Sequence, residues 1–152
     1  MAFNTLITCI FVTLAALFLG GAPAAAERDG IAGLPGPVFA TVDRVIDGDT
    51  VEVTARIWLD LEIAAAVRLA HVDTPEITGA RCPAERRLGE AARDFVRQRL
   101  EGRIVRLTDI ERGKYARRVV ARIETVDGGD LGDALIAARL ARDYGDRKSW
   151  CA

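Results

Sequence analysis

From residue 39 onward the apolar positions follow two periods in turn. The stretches "FATVDRVID" (39–47) and "TVEVTARIWL" (50–59) alternate from one side to the other and are rich in β-branched residues, as half-buried strands are. The Asp-Gly between them is a hairpin turn signal. A third strand is expected from about Ile63 to Val72, stopped by Pro75. The period then changes. Leu88, Ala91, Ala92, Phe95, Val96 and Leu100 form one apolar stripe at helical spacing, closed by Gly102. "RIVRLTDI" and "RVVARIETV" read as two more strands around the charged loop "ERGKYAR". A last helix is expected from the N-cap Asp130, with Asp133 in its first turn, through Leu131, Ala134, Leu135 and Ala138 to about Arg142.

Five short strands with a helix between the third and fourth predict a mostly-β, α+β domain. The expected architecture is a five-stranded OB-type barrel with two helices. A small sandwich fits the pattern less well. With 152 residues the chain has room for one such domain, assigned to 39–152 behind a Gly/Pro-rich linker at 27–38.

The first 26 residues change the picture, because they carry no charged side chain in a chain that is 28% charged. An apolar run from Leu6 to Leu19 precedes small residues at Ala24 and Ala26, the arrangement of a secretory signal peptide cleaved near Ala26. The run is short for a membrane anchor, the alternative, so the processed protein is expected in the periplasm or outside the cell without stable membrane association. Cys9 would leave with that segment. Cys82 and Cys151 would remain as a candidate disulfide, two free thiols being the alternative. Two cysteines and the single, distant His71 lack the ligand-pair spacing of a zinc site.

The formal net charge of −1 points to no particular partner, but its distribution is uneven. Residues 27–80 are acidic, with four arginines against ten carboxylates, and residues 81–122 are basic, with thirteen Lys and Arg against six carboxylates. Such blocks suit a cation and a phosphate held side by side, or simply a mixed solvated surface.

Singly, each polar motif has a structural explanation. Asp47-Gly48-Asp49-Thr50 makes a hairpin turn, Asp73-Thr74-Pro75-Glu76 ends a strand, Arg68 is a strand residue facing solvent, and Arg117-Arg118 is loop charge. Together, "VIDGDTV", "VRLAHVDTPE" and "GKYARR" occur in order around the expected elements, and they resemble the staphylococcal nuclease (thermonuclease) family over about residues 39–144. The resemblance implies a Ca²⁺-dependent nuclease that hydrolyses DNA and RNA with little sequence specificity. It would act as a monomer, preferring single-stranded or frayed regions and leaving 3′-phosphate ends.

By the same resemblance Asp49, Asp73 and the Thr74 carbonyl would hold the metal, an oxygen set suited to Ca²⁺. Arg68 and Arg117 would contact phosphate, and Glu76 would act as general base. Lys114 and Tyr115 correspond to positions that bind a terminal phosphate, and Tyr144 to the aromatic beside the base. His71 inherits no role; strict alternation would put it on the face of Val67 and Leu69, as a packed or partly exposed side chain. The family's third, C-terminal helix has no counterpart in "DRKSWCA", which a Cys82–Cys151 bridge could pin in its place. The alternatives are a catalytically inactive OB-fold nucleic-acid-binding module and an exported domain that binds protein.

Overall fold

A computed structural model describes residues 33–151. The expected signal peptide at 1–26, the start of the linker and Cys9 lie outside the described residues. The elements are β1 (Gly33–Leu34), β2 (Val38–Val45), β3 (Thr50–Trp58), β4 (Leu61–Leu69), β5 (Val72–Asp73), α1 (Pro83–Leu100), β6 (Ile104–Arg112), β7 (Arg118–Thr125), α2 (Leu131–Ala137) and β8 (Arg142–Asp143). Neighbouring strands run in the order β6-β2-β3-β4-β7, and β7 pairs back onto β6. That last pairing closes a five-stranded barrel, so the mostly-β barrel with two helices holds. The closure is parallel between β4 and β7, with Ala66 opposite Arg118 and Leu69 opposite Ala121. Within the Gly/Pro segment read as a linker, Gly33–Leu34 pair with β6. Among the described residues no helix is long and apolar enough to cross a membrane.

Alternation builds the interior as expected. Val42, Val53, Val67, Val105 and Ile123 point inward from the five strands and are buried to 1% exposure or less. Each such side chain contributes about 1.5–3 kcal/mol by leaving water. Helix α1 lies across one end of the barrel and adds Ala92, Val96 and Leu100 to the same core. It starts earlier than its apolar stripe suggested. Pro83 occupies the first turn, where its missing N–H costs nothing, and Cys82 is the N-cap. Its buried line is Glu85, Gly89, Ala92, Val96 and Leu100, whereas Ala91 is exposed and Leu88 and Phe95 are half-buried.

Two expected elements end differently. The third strand does not run unbroken to Val72. It stops at Leu69, turns at Ala70-His71 and resumes as the two-residue β5. His71 takes a left-handed φ of 63° and is exposed, so it leaves the face of Val67 and Leu69. The last helix ends at Ala137 instead of about Arg142: Arg139 adopts φ 58°, and Arg142–Asp143 become β8, which pairs antiparallel with β5. That small ladder ties the chain's C-terminal part to the Asp73 segment.

A disulfide joins Cys82 to Cys151, 69 residues apart, with 6.0 Å between their Cα atoms. In the chain-entropy view a loop of that length is worth up to about 4 kcal/mol. Replacing both cysteines by serine should therefore lower unfolding stability by about 2–4 kcal/mol in urea titrations. An unchanged midpoint would show that the bridge constrains nothing.

Candidate active site

The β2–β3 turn, the β4–β5 break and the start of β7 meet at one end of the barrel. Asp49 lies in the turn and is only 6% exposed. Its carbonyl accepts from the Leu69 N–H at 2.7 Å, which fastens the turn to the end of β4. Its own N–H donates to the Asp47 carboxylate at 3.1 Å. Thr50 Oγ1 donates to Asp49 Oδ1 at 2.9 Å. Gly48 is needed here because space is missing: a Cβ would sit 2.7 Å from Ala92 Cβ and 2.9 Å from Thr74 Oγ1. Gly48→Ala should destabilise the fold by about 1–3 kcal/mol through overpacking, read as a lower melting temperature. It should also push Thr74 away from the turn.

Arg68 is the hub. On β4 it points outward, opposite in phase to the buried Val67 and Leu69. One end of its fork pairs with Asp49, and Nη2 reaches Asp73 Oδ1 at 3.2 Å and the Val72 carbonyl at 3.4 Å. Burial works to lower its pKa, yet the adjoining Asp49 and Asp73 carboxylates hold it above the ordinary arginine value. Two carboxylates thus stand on either side of one fixed guanidinium.

The Asp73-Thr74-Pro75-Glu76 turn rests on α1. Gly89 makes the approach possible, since a Cβ there would lie 2.6 Å from the Pro75 carbonyl. Thr74 is buried, Asp73 is half-exposed and Glu76 is exposed. The Glu76 carboxyl is raised above its usual pKa, first by partial burial and then by the charges of Asp49 and Asp73, with Arg68 opposing. Asp47 is pushed up to about 6 by burial and by Asp49. Asp73, Thr74 and Glu76 line one wall of a polar cleft of about 510 Å³.

Asp49, Arg68, Asp73, Thr74 and Glu76 therefore come together. Arg117 does not join them. It is exposed at φ 62°, its carbonyl accepts from Ala66 N–H, and it borders a separate groove on the outer barrel face with Asp43, Glu52 and Ala64. Its neighbour Arg118 is the arginine that enters the cluster, with Nη2 donating to Thr50 Oγ1 at 3.0 Å, while its Nε is enclosed without a partner. Sequence reading passed over Arg118, although alternation in β7 could have found it: Ala121 and Ile123 point in, so Arg118 points out like Arg68 on the adjoining β4.

Lys114 and Tyr115 are exposed on the loop before β7, with the ammonium 5.6 Å from the ring centroid. Tyr144, also exposed, follows β8 and donates its N–H to the His71 carbonyl at 2.8 Å. Among the described residues the one close group of three potential metal-ligating side chains is Cys82, Glu85 and Cys151, and its two sulfurs are spent in the disulfide.

The site residues offer carboxylate, carbonyl and hydroxyl oxygens with two guanidinium groups beside them. That set can hold a hard cation and neutralise a phosphate. No curated protein matches the chain. A family model described as Staphylococcal nuclease homologue matches residues 66–150, a span that includes Arg68, Asp73, Thr74, Glu76, both Arg117 and Arg118, and Tyr144 but begins after Asp49. Because that match covers more than half of the sequence and falls on a closed five-stranded barrel, the chain belongs to the Staphylococcal nuclease homologue family.

Proposed function

We propose that the protein is a Ca²⁺-dependent nuclease that hydrolyses phosphodiester bonds of DNA and RNA, exported and acting as a monomer. The observation that carries this reading is Arg68 held between Asp49 and Asp73, with Glu76 and Arg118 beside them. A module that only bound nucleic acid would have no need to crowd carboxylates that repel one another and the anionic substrate. Glu76 and Asp47 are raised first by burial and then by the neighbouring carboxylates. That repulsion is the kind of stress a bound cation relieves.

Asp49, Asp73 and the Thr74 carbonyl are the groups that would hold Ca²⁺, all hard oxygens as that ion prefers. When bound, the ion supplies positive charge beside the scissile phosphate. The chain's own groups do the rest. Glu76 takes a proton from the attacking water while the new O–P bond forms. Arg68 and Arg118 neutralise the charge that gathers on the phosphoryl oxygens in the five-coordinate transition state. The bond to the 5′ oxygen then breaks and that oxygen takes up a proton from solvent, leaving a 3′-phosphate and a 5′-hydroxyl. Arg118, in place of Arg117, takes the second arginine's part in this reading, because it donates to Thr50 Oγ1, which in turn donates to Asp49.

An open cleft on a barrel end favours unpaired strands, whose backbones can enter it. Export is supported by the uncharged first 26 residues, and the disulfide is at home in an oxidising compartment. The deciding experiment incubates the processed protein with single-stranded DNA, once with Ca²⁺ and once with chelator. Cleavage is expected only with Ca²⁺. Intact DNA in both reactions would overturn the enzyme reading, and cleavage in both would overturn the metal requirement.

A further inference from the structure

The segment after β8 has no regular secondary structure and is mostly exposed, yet it is anchored three times. The Arg142 guanidinium donates to the Lys148 carbonyl at 2.8 Å and to the Ser149 carbonyl at 3.3 Å. Trp150 lies with its ring centroid 3.6 Å from that same guanidinium. Cys151 is bonded to Cys82 at the start of α1. Inside these anchors Asp146 caps the turn by accepting from Lys148 N–H at 3.0 Å, which also lowers the Asp146 pKa.

Hydrophobic burial does not explain so much fastening. Residues Asp146 to Ser149 are all exposed, and Trp150 is half-buried. What the anchors do achieve is a position. They set Arg147, Lys148, Ser149 and Trp150 across the 510 Å³ cleft from Asp73, Thr74 and Glu76. The Lys148 and Ser149 carbonyls are taken up by Arg142, while Arg147 and Lys148 are exposed and line the cleft. Arg147 makes no ion pair among the described residues, and Lys148 has only an exposed one, 3.7 Å from Asp146.

We propose that this disulfide-stapled strap is the second wall of the substrate groove, and that Arg147 and Lys148 hold a phosphate of a single-stranded nucleic acid next to the one being cleaved. The inference rests on the nuclease reading above and deepens it. A strand crossing the cleft meets Asp73, Glu76 and Glu85 with Arg81 on one side, and Arg147 and Lys148 with Asp146 on the other. Trp150, packed on Arg142, stiffens the strap. The disulfide makes the wall permanent in an oxidising compartment and releasable by a thiol reductant.

The test measures binding apart from cleavage. The full-length processed protein carrying Glu76→Gln is titrated into a labelled single-stranded oligodeoxynucleotide of about ten nucleotides, read by fluorescence anisotropy at several salt concentrations. Adding Arg147→Ala and Lys148→Ala should raise Kd about tenfold and make the salt dependence shallower by roughly 0.7–1.4 in log–log slope, the release of one or two counterions. Thiol reduction should weaken binding by a similar factor and shift Trp150 fluorescence. It should add little once Arg147 and Lys148 are gone.

Unchanged Kd and salt slope in the double replacement would overturn the proposal, as would reduction that leaves Kd untouched or an absence of measurable binding. The two readings fail separately. Wild-type protein that binds through Arg147 and Lys148 but never cleaves removes the nuclease alone, and normal cleavage with unaltered binding in the double replacement removes the strap alone.

Discussion

Arg118→Ala should lower Ca²⁺-dependent turnover on single-stranded DNA by about a thousandfold or more, whereas Arg117→Ala should cost less than about threefold. The difference follows from where β7 begins. Arg118 is the first residue of the strand and lies on the outer face beside Arg68, with its fork on Thr50 Oγ1, one residue from Asp49. Its Nε is enclosed, so a phosphate would be met at the Nη end of the fork, beside Thr50. Arg117 sits in the turn before it, in a left-handed conformation, beside a groove lined by Asp43 and Glu52. A positive φ is costly for arginine and free for glycine. Arg117→Gly should therefore keep turnover and raise stability by about 1 kcal/mol. Arg118→Lys should recover only part of the loss, since an ammonium cannot grip two oxygens as a planar fork does. Collapse of activity in Arg117→Ala with near-normal turnover in Arg118→Ala would reverse the assignment.

The doublet also shows how far the sequence could be read. Motifs of fixed spacing placed Asp49, Arg68, Asp73, Thr74 and Glu76, because one hairpin and one strand end carry all five and their local geometry leaves little choice. In "KYARR" two arginines stand side by side, and a motif counted from Lys114 selects the first. Counting back from the inward-facing Ala121 and Ile123 puts the second on the outer face with Arg68, which is why the proposal above turns to Arg118.

Three element boundaries differ from the sequence pattern for identifiable reasons. The turn at Ala70-His71 carries no Gly, Pro or Asn, and the flanking Leu69 and Val72 are both buried, so the apolar run hid a break in the strand. Helix α1 was begun late because Cys82 is not a usual capping residue, although Pro83 was the signal to use. Helix α2 was carried too far because nothing before Gly145 marks a stop; tertiary pairing of Arg142–Asp143 with β5 decides it instead. The barrel itself was legible because period two in five segments leaves one face of each to be buried.

Glu76→Gln should lower turnover by about a thousandfold, or roughly 4 kcal/mol of transition-state stabilisation, with the fold intact. The substitution keeps the side chain's size and removes its capacity to accept a proton from water. It separates chemistry from stability because of the charge Glu76 carries in the folded protein. Its pKa is raised by partial burial and by Asp49 and Asp73. A carboxyl whose folded pKa exceeds its unfolded value binds its proton more tightly in the native state, so its contribution to stability falls as pH rises through that range. At neutral pH and without added Ca²⁺, neutral glutamine should therefore leave the protein at least as stable as the wild type. Side-by-side thermal melts and single-turnover cleavage would read both quantities. Turnover within tenfold of wild type would show that Glu76 merely stands near the water and that another group takes the proton. A lowered melting temperature would show that its carboxylate has a partner that holds the turn on α1.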